Sequence, residues 1–122
     1  MIYQDDWLLR QIDTLVQMMS RLLLGRPFER YVLREDQEND RKAELHLDIM
    51  ELLHQGRVNE AENRLFERLE TQRQADDLAI ALDFYAMLNT FSDEELARAN
   101  FSRQEIDQGL HDIARLFGVP AE

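Results

Sequence analysis

The chain has 122 residues, 44% of them apolar and 32% charged, enough for one domain. Acids outnumber bases 25 to 14, giving a formal charge of −11, and there are no cysteines. Disulfides, thiolate metal sites and cysteine nucleophiles are therefore excluded, and duplex nucleic acid is not an expected partner, because its phosphates need a basic footprint.

A cysteine-free chain suits a reducing cytoplasm, the expected compartment. No apolar run approaches the ~18 residues of a membrane span, so no membrane partner is expected. The opening Met-Ile-Tyr-Gln-Asp-Asp carries acids where a secretory signal carries bases. Thirteen of the bases are Arg and one is Lys42. Scattered among acids, these Arg residues read as intramolecular partners rather than as an anion-binding patch.

No segment alternates as a strand does. Apolar spacing instead predicts an all-α domain of five to six helices. The first helix is expected over residues 5–24, with Asp5 and Asp6 at its positive end. Leu8, Leu9, Ile12, Leu15, Val16, Met19, Leu22 and Leu23 fall in an arc of roughly 140°. Trp7 and Met18 lie beyond one edge. That surface is wider than one neighbouring helix covers. It packs into the core on two sides, forms a homodimer seam, or docks a partner or a membrane surface. Gly25-Arg26-Pro27 ends the helix, and residues 25–38 read as a linker anchored by Phe28, Tyr31 and Leu33.

A helical array follows over residues 39–118. The second helix (40–55) places Ala43, Leu45, Leu47, Ile49, Met50, Leu52 and Leu53 around more than half its circumference. Gly56 makes the next turn and is expected either to be left-handed or to sit at a crossing too tight for a Cβ. The third helix (59–73) carries a narrow stripe of Ala61, Leu65 and Leu69, with Val58 just before it. The fourth (75–89) is apolar almost all round, the pattern of a central helix. Ser92-x-x-Glu95 and Ser102-x-x-Glu105 predict capping boxes for a short fifth helix and the last one. Gly109 falls on the apolar face of that last helix, which implies close approach of another backbone.

Residues 45–69 resemble a tetratricopeptide-type hairpin. The likeness rests on Gly56 at the turn, Ala61 at the crossing, and Leu65 and Leu69 on the groove side. Arg68 and Arg73 depart from that pattern, which has a small residue and a proline there. The whole chain also resembles a family of small, uncharacterised bacterial helical proteins, a domain of unknown function. The residues that carry this are Asp6-Trp7-Leu-Leu-Arg10-Gln11-Ile12 and Asn100-Phe101-Ser102-Arg-Gln-Glu105-Ile106. The resemblance implies a helical fold and little else.

Glu51-x-x-His54 has the spacing that di-iron bundles use twice, but it occurs once, so neither metal nor cofactor is expected. His46 sits mid-stripe among Ile49, Met50 and Leu53. Its readings are a core histidine hydrogen-bonded to a carbonyl or acid, or a ligand, base or pH-sensitive contact in a groove. Asp83 is the lone charge within the fourth helix, read as the buried partner of an Arg or as a groove element; Asp76 and Asp77 read simply as helix-start acids. No nucleophile–base constellation is legible, so no enzyme is expected.

The expectation is a cytoplasmic, non-catalytic protein–protein interaction module of unknown partner. The alternatives are a homodimer through the first helix and, last, a small metal-binding protein. The surface residues would be Trp7, Leu8, Ile12, Leu15, Met18 and Met19, with Leu8, Ile12, Leu15 and Met19 shared between core and seam and Trp7 and Met18 at the rim. The groove residues would be His46, His54 and Asp83.

Overall fold

The computed structural model describes residues 2–30 and 41–118. Among them are six helices and no strand. They are α1 (Ile2–Met19), α2 (Arg41–His54), α3 (Val58–Thr71), α4 (Ala75–Leu88), α5 (Asp93–Arg98) and α6 (Arg103–Leu116). The expected anchors Tyr31 and Leu33 lie outside the described residues.

Helix α1 starts three residues earlier than its acids suggested and passes at Ser20–Leu24 into a π turn. The Ser20 hydroxyl donates to the Arg26 carbonyl at 2.8 Å, and Gly25 closes the turn at φ 72°. A positive φ there is the standard glycine stop. Phe28, just beyond, packs against the core.

Helix α4 is the central element, touching α1, α2, α3 and α6. Leu78, Ile80, Ala81, Leu82, Phe84, Tyr85 and Leu88 are at most 1% exposed, as an all-round apolar helix requires. Its acids are not both simple helix-start charges. Asp77 is fully buried, accepts the Gln74 backbone N–H at 3.1 Å, and lies 3.6 Å from Arg68.

Helices α2 and α3 pack on each other through Leu45, Ile49, Leu53, Val58, Ala61, Leu65 and Leu69. Each fully buried Leu or Ile contributes roughly 1.5–3 kcal/mol, so this seam is a large part of the core. Gly56 turns the chain between them at φ 78° with open space around its Cα, which meets the left-handed expectation. Leu47 breaks the expected apolar face, being 52% exposed. Leu45 and Leu47 are two residues apart, about 160° on the wheel when counted the short way, so both cannot face the hairpin seam.

The two serine caps differ. Ser92 and Glu95 form the full reciprocal box, at 3.1 and 2.8 Å. Ser102 accepts the Glu105 N–H at 3.2 Å, but Glu105 takes the Ser102 hydroxyl proton instead of reaching the backbone. In α6, Gly109 faces the Tyr85 ring, not a helix backbone.

Candidate functional site

Three polar features and one apolar face stand out. The first is a buried carboxylate. Asp83 of α4 is fully buried and meets the Arg30 guanidinium, whose Nε and Nη2 both reach it. His46 Nε2 lies 3.3 Å from Asp83 Oδ2, the oxygen that Arg30 Nη2 also reaches. Of the two readings of Asp83, the structure shows the Arg partner. No local pattern marks Arg30, 53 residues away, as this partner. A carboxylate gripped by guanidinium and imidazole is a structural anchor between α4, α2 and the segment after α1. His46 is thus a core histidine with a hydrogen-bond partner.

The second is a buried guanidinium that spacing did not reveal. Arg103 is 5% exposed at the start of α6. It donates to the Asn89 carbonyl and side chain, the Phe91 carbonyl and Asp93, all at 2.8–3.0 Å. Asn89 in turn donates to the Leu9 carbonyl and Asp13 on α1. Six donated hydrogen bonds at the start of a capped helix tie α4, α5, α6 and α1 together. As the first helical residue after a Ser cap, Arg103 reads from sequence as a solvated position, which is why it was missed.

The third is Glu62 of α3. It accepts the Tyr85 phenol proton at 2.5 Å. Partial burial raises its pKa; the phenol hydrogen bond opposes this, and the nearby carboxylates of Glu105 and Asp112 add to it. Burial and the same carboxylate push the Tyr85 phenol well above its ordinary value, so the phenol is the donor.

His54 is exposed on the rim of a cleft of about 490 Å³ between the α2–α3 turn and α5. Leu53 and Phe91 line it with Glu95 and Arg98, but Glu95 already caps α5. His54 lines this cleft, whereas His46 and Asp83 do not. Glu51 is exposed and accepts from Gln55 at 2.9 Å. Among the described residues, no group of three or more His, Asp or Glu side chains is placed to hold a metal ion. No helix of these residues is long and apolar enough to cross a membrane.

The apolar face lies on the outside of α1. Ile12, Val16 and Met19 are 0–3% exposed and belong to the core. Ile12 and Met19 are thus removed from the expected surface, because α4 and α6 cover that side. Leu8 and Leu15 are half-buried at the edge. Trp7 and Met18, expected at the rim, are instead 64% and 50% exposed at the centre, with Leu22 at 68%. Trp7 and Met18 project within about 20° of each other. Arg10 and Arg21 lie on one side within about 80°, and Asp6 and Asp13 farther round the same side, about 100–140° from Trp7 and Met18.

Comparison with protein families decides where the chain stands: the family of unknown function DUF6483 matches residues 2–118. The chain belongs to this family. No curated protein and no solved structure matches it. Membership in DUF6483 brings no assigned activity, so the reading of function rests on the geometry above.

Proposed function

We propose that this DUF6483 protein is a non-catalytic protein–protein interaction module that works through the outer face of α1. The observation that carries this is the exposure of Trp7, Met18 and Leu22 on a helix whose inner side is sealed into the core. Large apolar side chains gathered on one helical strip and bordered by Arg suit a contact surface, since Trp, Tyr and Arg are enriched among the few residues that dominate binding energy in protein interfaces.

The polar groups support the non-catalytic part. Asp83 is held by Arg30 and His46, the Ser92 and Ser102 hydroxyls cap helices, and Ser20 donates to a carbonyl. Each is engaged in holding the fold. The α2–α3 unit, with its tetratricopeptide-like Gly56, Ala61, Leu65 and Leu69, serves as packing scaffold in this reading. A cysteine-free chain suits action in a reducing cytoplasm.

Photo-crosslinking tests the reading. A photoreactive phenylalanine analogue at position 18, in cells that make the protein, is expected to capture a discrete polypeptide. The same group at exposed position 63 should not. Absence of any adduct from position 18 would overturn the proposal.

A further inference from the structure

Resting on that reading, we infer that the partner of the α1 face is a second copy of this chain, with α1 of each copy lying along α2 of the other. Among the described residues the exposed large hydrophobics are Trp7, Met18, Leu22 and Leu47. All of them lie on α1, its π-turn extension, or α2.

The two faces are opposite in charge. The α1 strip is bordered by Arg10 and Arg21, both exposed; Asp6 and Asp13 lie farther round the same side, and Asp13 already accepts from Asn89. On α2, Leu47 is bordered by exposed Glu44, Asp48 and Glu51, all within about 100° on one side of it. Asp48 already meets Arg64 at 3.0 Å and Glu51 accepts from Gln55, which leaves Glu44 and part of the Glu51 carboxylate to face incoming cations. A basic-edged strip on a chain of charge −11 fits an acidic-edged one, and this chain presents such a strip on α2.

The side on which each border falls sets the direction. Viewed from the N-terminus, the Arg border precedes the α1 strip and the acidic border follows Leu47. In a parallel helix pair opposite flanks meet, whereas in an antiparallel pair like flanks meet. Arg10 and Arg21 therefore meet the α2 acids when α1 and the partner's α2 run parallel. An antiparallel α1–α1 seam would instead set Arg10 and Arg21 against their own copies, and a parallel one would set them against the apolar flank of Leu8 and Leu15, with no carboxylate opposite. A two-fold axis makes the α1–α2 contact twice, closing the dimer.

The test is mass in solution for the full chain at about 0.15 M salt, where the overall negative charge of two copies is screened within about 8 Å. Light scattering is expected to give twice 14.5 kDa at micromolar concentration. Two charge variants then discriminate. One carries Arg10→Glu and Arg21→Glu, the other Glu44→Arg and Glu51→Arg. All four positions are exposed, so each variant should keep its helical signal. Each alone is expected to dissociate at least about tenfold more readily, and an equimolar mixture should restore the dimer.

A wild-type monomer up to about 0.2 mM would overturn the inference, while an adduct to a different polypeptide from position 18 would leave the interaction reading standing. Dimerisation unaffected by the α2 variant would also overturn it, in favour of an α1–α1 seam. Flotation of a monomeric protein with anionic phospholipid vesicles, abolished by Trp7→Ala, would overturn it in favour of a lipid surface.

Discussion

The phenol of Tyr85 occupies the space a side chain at position 109 would take. A Cβ built on Gly109 falls 2.2 Å from the Tyr85 hydroxyl oxygen and 2.4 Å from the ring carbon that bears it. The same hydroxyl donates to Glu62. One missing side chain on α6 thus lets a tyrosine of the central helix cross to α3, and it does so inside a helix where glycine is intrinsically costly.

Gly109→Ala should therefore destabilise the protein. Alanine gains about 1 kcal/mol of helix propensity, but the ring is held by the core and cannot swing away freely. Overpacking of about 1–3 kcal/mol outweighs the gain. Thermal unfolding measures it. A variant as stable as the parent would show that the Tyr85 ring relocates at no cost, and the crossing would lose its explanation.

Glu62→Gln should act in the opposite direction at neutral pH. The pKa of Glu62 is raised in the folded protein, chiefly by burial, so its ionised form is disfavoured by folding. Stability from this group is fully present below its unfolded pKa, near the ordinary glutamate value of about 4.3, and is lost as pH rises through the higher folded value. Glutamine keeps an acceptor for the Tyr85 phenol and never ionises. The variant should melt higher than the parent at pH 7, with the difference vanishing near pH 4. A lower melting temperature at pH 7 would mean that the charge on Glu62 strengthens the Tyr85 hydrogen bond more than burial penalises it.

Arg103→Met should be among the most damaging single changes. It leaves the buried Asn89 carbonyl and the Phe91 carbonyl without their donor, at a cost of about 3–5 kcal/mol. Lysine cannot span four acceptors with a fork, so Arg103→Lys should recover only part. Asp93→Asn, at a side chain 59% exposed, should cost far less. Denaturant unfolding of the three variants gives the order, and an Arg103→Met variant no worse than Asp93→Asn would refute the strut.

The sequence by itself determined what depends on neighbours along the chain. Helix periodicity is local, so the all-α class and the central place of α4 were legible in the apolar residues of 78–88. Stops are local too, because a positive φ is strained for residues with a Cβ; Gly25 and Gly56 hold φ of 72° and 78°. The serine caps reach only three residues ahead, and both formed, one of them without its return contact.

Tertiary structure decided everything that needed a partner from afar. Helical spacing showed that α1 had too much apolar surface but not which part the core would take. The positions of α4 and α6 assigned Ile12, Val16 and Met19 to the interior and left Trp7, Met18 and Leu22 outside. Asp83 was visible as an anomaly in an apolar helix, yet its partner Arg30 lies 53 residues away, and no local pattern encodes a contact that only the folded chain brings together. Gly109 marked a close approach on α6 for the same local reason that made it costly there. That the approaching group was the Tyr85 ring, rather than a backbone, depended on how two helices distant in sequence came to lie side by side.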